Sequence, residues 1–171
     1  MTLLWSAAAM TTSKDAPSEL PEPTLHLVLL EPKIPGNLGA IVRMSVGTGC
    51  AVHVCGKLPY DGTNRQMWRA GLDYWASAQV HFHDDVDRCM AYLGRDPFVL
   101  EVGSNHAPWD AALTPGSVVV LGPEDGSAFL PSVPRDRVLT LPTEGGVRSL
   151  NLAQCAAVVA FEARRQQSTR R

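Results

Sequence analysis

The first sustained hydrophobic block is LHLVLL at residues 25–30, closed off by Pro32 and Pro35. An unbroken apolar run of this length suits a strand buried on both faces, as in a parallel sheet. Asn37 then offers an N-cap for a helix running to about Val46, with Gly47 and Gly49 placed to end it. AVHVC (51–55) reads as the next strand, and residues 56–78 as loop and helix carrying Trp68, AGLDYW and Trp75. A strand near 79–82 precedes a helix of about 84–94, opened by Asp84 and Asp85. PFVLEV (97–102), SVVVLG (117–122) and VLTL (138–141) supply three more strands. This alternation predicts an α/β fold, a parallel sheet flanked by helices.

The clearest helix spans about 150–166, with Ser149 as its cap and Arg164 and Arg165 in the last turn, where they complement the macrodipole. Its middle, CAAVVAF (155–161), is apolar on all faces. A helix of that kind is buried on two sides, and a partner subunit would suit the second side in so small a protein.

At 171 residues the chain is sized for one domain, since two separate cores would each be marginal. Residues 1–23 include a polar, proline-rich stretch and read as a disordered extension, 24–167 as the folded domain, and 168–171 as a basic tail. Net charge is −2, which excludes a wholly basic, nucleic-acid-coating protein. The distribution is uneven. From Arg135 onward seven arginines face Asp136, Glu144 and Glu162, a local balance of +4 that leaves −6 on the preceding residues. That asymmetry permits an anion-binding surface at the C-terminal end, although a solvated tail has the same composition. Cys50, Cys55, Cys89 and Cys155 are scattered without a C-x-x-C pair, as free thiols of a reducing cytoplasm would be. No apolar run is long enough to span a bilayer, and MTLLWSAAAM lacks the positive flank of a signal peptide.

Three segments carry candidate chemistry. In EPKIPGNLGAIVR (31–43), Gly39 and Arg43 fall on one helix face, with Gly36 and Gly47 on either side. Small residues beside a long cation admit another backbone or a ligand, leaving the guanidinium to grip an anion. Equally, the glycines serve turns and Arg43 is a surface arginine. In VLGPEDG (120–126) a strand runs straight into Gly122, Pro123 and Glu124, at the strand end where open α/β sheets bind ligands; an ordinary polar turn reads the same way. In LPTEGGVRSLNLAQ (141–154) a glycine loop leads to Arg148, Ser149, Leu150 and Asn151 at a helix start, whose free N–H groups suit an anionic or polar ligand group. His26, His53, His81, His83 and His106 form no ligand pattern by spacing, and no metal site is visible. Trp68, Tyr74 and Trp75 could stack on bases or lie in the core.

The order N-x-G-x-x-x-R, then L-G-P-E, then L-P-x(5)-R-S-L-N-L followed by F-E-A-R-R-Q resembles the SPOUT superfamily of knotted RNA 2′-O-ribose methyltransferases. EPKIPGNLGAIVR and RAGLDYW are most similar to its small branch, the tRNA (cytidine/uridine) wobble-position 2′-O-methyltransferases, over about Leu25 to Gln166. The resemblance implies a C-terminal deep trefoil knot, an exception to the usual avoidance of threading, together with a homodimer and S-adenosylmethionine as cofactor. It further implies cofactor contacts at Leu100, Gly122, Leu141, Ser149 and Leu150, and active-site polar positions at Asn37, Arg43, Glu124 and Asn151. RNA contacts are expected from Arg43, Arg148, Arg164 and Arg165, with the anticodon region of tRNA as partner. Departures are the DGSAF loop after Glu124, Ala153 for a frequent serine, and Phe161 for a frequent tyrosine.

Methyl transfer from a sulfonium to a ribose hydroxyl depends on positioning and needs no metal. No histidine lies in the motifs to take the proton, and arginine is too weak an acid to act readily as a base. Arg43 is therefore expected to clamp a substrate phosphate or developing alkoxide. Two other readings are a methyltransferase for another tRNA or a ribosomal RNA position, and a non-catalytic RNA-binding knotted dimer. Larger ribosomal relatives usually carry an added RNA-binding domain, for which residues 1–23 are too short. Retention of Arg43, Glu124, Arg148 and Asn151 argues against the non-catalytic module.

Overall fold

The computed structural model describes residues 22–61, 64–126, 132–144, 146–147 and 149–168, apart from the Leu72 side chain. Six strands, β1 (Leu25–Leu30), β2 (Ala51–Cys55), β3 (Gln79–His83), β4 (Phe98–Leu100), β5 (Ser117–Leu121) and β6 (Val138–Leu139), make one sheet. Their order is β3-β2-β1-β5-β4-β6, and every pairing is parallel. The helices are α1 (Pro35–Thr48), α2 (Arg65–Gly71), α3 (Val86–Leu93) and α4 (Leu152–Ser168).

The continuous apolar strands are explained by burial on both faces. Leu25, Leu27 and Leu29 of β1, with Val119 and Leu121 of β5, pack against Leu38, Ile41 and Val42 of α1 and Leu152, Ala156, Val159 and Ala160 of α4. Val28, Val118 and Val120 point the other way, toward Cys89 with Val86, Met90 and Leu93 of α3. Alternate residues of one strand thus serve two cores. His26 and His53 are caught in this interior, and burial pushes His53 down to about 2 and His26 to about 4, so both are neutral.

Two expected caps differ. α1 starts at Pro35, with Ile34 in extended geometry at its N-cap, because a proline at the first helical position already has a helical φ and no N–H to satisfy. Asn37 is therefore inside the first turn, and its buried side chain is free for other partners. α4 is capped by Asn151, not Ser149: Oδ1 accepts from the N–H groups of Ala153 (2.9 Å) and Gln154 (3.3 Å). The C-terminus of α1 follows expectation, with Gly49 at φ 71 returning its N–H to Ser45 O.

β4 and β6 are shorter than the apolar runs that encode them. The chain leaves the ladder early, with Glu101 N–H donating to Leu139 O and Thr140 N–H to His106 O. On α4, Val158 (41% exposed) and Phe161 (59%) face outward, so the second apolar side stands open in the single chain. The proposed extension falls largely outside the described residues; of its last two positions, Glu22 pairs with Arg95 at 2.8 Å and Pro23 O accepts from Gly116 N–H. The tail residues 169–171 also lie outside the described residues.

Gly39 is the tightest point between helices. A Cβ built there meets Met67 O, and comes within 2.8 Å of Ala70 Cβ and 2.9 Å of Gly71 N, so the backbone of α2 occupies the space a side chain would need. Of the readings open for Gly39, close approach of another backbone is the one observed. Gly39→Ala should therefore destabilise the fold by about 1–3 kcal/mol, the usual cost of overpacking. Urea unfolding should show a lower midpoint at unchanged slope; an unchanged midpoint would mean that α2 yields freely.

Candidate functional site

A cleft of about 710 Å³ opens at the carboxyl ends of β4, β5 and β6. Open parallel sheets offer ligands this place, and the volume is that of a cofactor or small-molecule site. Leu100 ends β4, Leu121 and Gly122 leave β5, Leu141 follows β6, and Ser149 with Leu150 precedes α4; all line the one cleft. The five residues expected to hold a cofactor, spread over 50 positions, are thus gathered around one space. Val102 (65% exposed) and Trp109 (52%) belong to the same lining and give it an apolar rim that sequence patterning does not single out.

At the edge of the cleft Asn37, Glu124 and Asn151 form a hydrogen-bonded chain. Glu124 Oε1 accepts from Asn37 Nδ2 at 2.8 Å and from Ile34 N at 3.2 Å, while Oε2 accepts from Lys33 N at 2.8 Å. Asn37 Oδ1 in turn accepts from Asn151 Nδ2 at 2.8 Å. Burial opposes ionisation of Glu124, but these donors outweigh it and hold the carboxyl below its ordinary range. The neighbouring Lys33–Asp125 ion pair, at 2.7 Å and solvent-exposed, ties the same loop to the segment before α1. The contribution of Lys33 and Ile34 is hard to read in advance because it comes from their backbone. The signal is two non-proline residues bracketed by Pro32 and Pro35, whose N–H groups point away from any helix or strand.

The expected cationic residues do not share this arrangement. Arg43 is exposed on α1, outside the cleft lining, with its guanidinium 5.6 Å from the Tyr74 ring centroid. Arg164 donates to Thr48 O at 3.3 Å, and Arg165 makes a two-pronged contact with Glu162 at 2.8 Å, so much of its charge is balanced within the chain. Arg148 lies outside the described residues. Of the aromatic group, Tyr74 and Trp68 are exposed, whereas Trp75 is half-buried beside Trp68 at 5.2 Å.

Because the folded-state pKa of Glu124 is lowered, its contribution to stability is complete above the ordinary value of 4.5 and is lost as pH falls through the lowered one. Glu124→Gln should cost about 1–2 kcal/mol at pH 7, within the range for hydrogen bonds to a charged group that is not fully buried. Urea titrations of both proteins from pH 7 to pH 3 should show this difference shrinking in acid. A constant difference would remove the charge from the explanation.

Comparison with known proteins agrees with this geometry. The SpoU rRNA methylase family matches residues 24–161. A relative from Burkholderia pseudomallei, a tRNA (cytidine(34)-2′-O)-methyltransferase, is 36% identical over 147 residues, covering 82% of this chain and 94% of the relative. A solved structure described as giving insight into 2-OH methylation of C/U34 on tRNA superposes with a TM-score of 0.75 at 33% identity, covering 88% of this chain and all of that one. The AdoMet-bound rRNA methyltransferase from Sinorhizobium meliloti shares the fold, with a TM-score of 0.72 at 21% identity, over 85% of this chain and 57% of its own. By the extent of that family match and by these identities, the chain belongs to the SpoU methylase family.

Proposed function

We propose that the protein transfers a methyl group from S-adenosylmethionine to the ribose 2′-hydroxyl of the wobble nucleotide of tRNA, a cytidine or modified uridine at position 34. The observation that carries this reading is the junction of the cleft with the Glu124–Asn37–Asn151 chain, built from the three segments that resemble the family's motifs. The similarity to tRNA (cytidine(34)-2′-O)-methyltransferases supplies the substrate. The cleft fits the cofactor: Leu100, Leu141 and Leu150 offer apolar walls, Ser149 a hydroxyl, and Gly122 a backbone without a side chain. When bound, the sulfonium supplies an electrophilic methyl group.

The rest of the chemistry falls to the protein's own residues. The Glu124 carboxylate and the Asn37 and Asn151 amides named above each hold another segment, with Asn151 Oδ1 also capping α4, so these residues act as a rigid frame for an in-line displacement. Glu124 accepts three donors and is held as an anion, which makes it a weak proton acceptor. Arg43 lies apart from the cofactor cleft and, in this reading, clamps the RNA phosphate or the developing alkoxide. Arg148, Arg164 and, to a smaller degree, Arg165 add attraction for the anticodon region that weakens with salt.

The same reading includes a C-terminal trefoil knot. In its support, β6 lies outside β4 at the sheet edge, while α4 returns to pack on α1 and β1. The Thr140–His106 hydrogen bond joins the segment after β6 to the segment after β4, as such a knot requires. A tRNA substrate and four free cysteines suit the cytoplasm. Among the described residues no helix is long and apolar enough to cross a membrane.

Methylation of a tRNA transcript, with mass mapping of the product and cofactor affinity measured alongside, tests the assignment. Wild-type protein should methylate the 2′-hydroxyl of nucleotide 34. Arg43→Ala should keep cofactor affinity and lose about 10²–10³ in single-turnover rate, the usual effect of deleting one transition-state contact. Arg43→Lys should recover only part, since an ammonium lacks the planar fork. Gly122→Val should instead abolish cofactor binding while the fold persists. Methylation at another position would overturn the substrate, and a normal rate in Arg43→Ala would overturn the role of this arginine.

The outward Val158 and Phe161 of α4 support a homodimer. Sedimentation should give a mass near twice 18.4 kDa, and Phe161→Glu should shift it toward the monomer. An active wild-type monomer would disprove the dimer.

A further inference from the structure

Four histidines scattered in sequence meet on the α3 side of the sheet, outside the lining of the cleft. Parallel register sets His53 of β2 opposite His81 of β3, with His83 two residues further along the same face. His53 is fully buried, its ring stacked 4.8 Å from His81 and 5.2 Å from His83, and Tyr92 of α3 covers the group with ring centroids 5.5–6.1 Å away. Cys89, also fully buried, enters from α3. One ligand atom each from His53, His83 and Cys89 lies within 4.8 Å of the others.

We infer that His53, His83 and Cys89 form a binding site for a borderline-soft divalent transition-metal ion, Zn²⁺ by its donor set. His53 Nδ1 and His83 Nε2 point at each other across 3.0 Å. A tetrahedral ion with nitrogens at about 2.0–2.1 Å would set that pair about 3.3–3.4 Å apart, so the two nitrogens separate by a few tenths of an ångström and the rings turn until both lone pairs and the Cys89 sulfur converge on the ion. The second ring nitrogen of His53 is already committed: Nε2 lies 3.0 Å from His26 Nδ1. A proton on Nε2, donated to His26, leaves Nδ1 with its lone pair directed at the site, which is the outer hydrogen bond that metal-bound histidines use. Two imidazoles and a thiolate from two strands and a helix select a zinc-like ion over a hard, oxygen-seeking one. The fourth position is left to water. On binding, the Cys89 thiol gives up its proton to solvent, and the ion ties α3 to the outer strands of the sheet.

The metal-free alternative is specific. A chain of neutral imidazoles, each N–H donating to the next ring, satisfies His26, His53 and His83 and leaves the Cys89 thiol paired with that of Cys55. The two differ in whether sulfur and nitrogen can bind one ion together.

The test uses the untagged full chain, stripped of metal under reducing conditions and titrated with Co²⁺, then Zn²⁺. One Co²⁺ per chain should bind, with the intense visible bands of four-coordinate cobalt and a sulfur-to-cobalt charge-transfer band in the near ultraviolet. Zn²⁺ should displace it, release about one proton and raise the melting temperature. Cys89→Ser should remove the charge-transfer band, and His83→Gln, at a half-buried position on the edge strand, should abolish stoichiometric binding. His26→Gln should keep the band and weaken binding about 10–100-fold, as loss of an outer hydrogen bond does. S-adenosylmethionine binding and far-ultraviolet circular dichroism report folding in each variant. Failure of the folded wild-type chain to take up Co²⁺ would overturn the site, as would uptake undiminished in both Cys89→Ser and His83→Gln.

Discussion

An ionised carboxylate drawn partly out of water must find donors, and Glu124 finds them where three distant parts of the chain end. The segment before α1 gives two backbone N–H groups, the first turn of α1 gives Asn37, and Asn37 in turn takes a hydrogen bond from Asn151, 114 positions away. Asn151 also caps α4, so one charge fixes the loop after β5, the start of α1 and the start of α4 relative to one another. Each group satisfies its neighbour, which gives the frame its rigidity and makes any single deletion costly. The cleft inherits its shape from this frame, because Gly122 and Glu124 share a turn, and Ser149 and Leu150 lead directly into Asn151.

That frame bears on the chemistry. A methyl group moving between sulfur and oxygen gains most from having its partners held in line, and the walls available are apolar side chains with a polar corner. The carboxylate at that corner is fully engaged with donors, so its work is to hold position. Arg43, the permanent cation expected beside the substrate, stands outside the cleft on the exposed side of α1, next to Tyr74. One helix thus serves two surfaces: its N-terminus frames the cleft, and its exposed flank carries the Arg43 charge.

Burial on both sheet faces has a second consequence. Side chains along β2 are all buried and those along β3 half-buried, polar ones included. His53 is surrounded by other rings and by α3, and it meets the requirement through ring-to-ring hydrogen bonds. The same alternation brings Cys89 to it from the helix above. Strand pairing created this constellation, since residues 26, 53 and 83 share no local spacing.

Local physics made most of the fold legible. Mainly apolar runs identified β1, β2 and β5 within a residue, because a strand buried on both faces admits few polar positions. Gly49 and Asp85 marked helix ends through conformations that depend only on neighbouring residues. The L-G-P-E and R-S-L-N-L segments drew attention to Gly122, Glu124 and Asn151 before any contact between them was known. Other features needed the tertiary structure. Asn37 and Ser149 both read as caps, yet α1 starts at Pro35 behind Ile34 and Asn151 caps α4, since competing candidates a few residues apart are separated only by what else each residue touches. The ends of β4 and β6 were set by hydrogen bonds to each other's loops, and the placing of Arg43 outside the cleft by the packing of Gly39 against α2. A sequence specifies propensities along the chain, whereas hydrogen bonds between residues a hundred positions apart exist only once the sheet has ordered its strands.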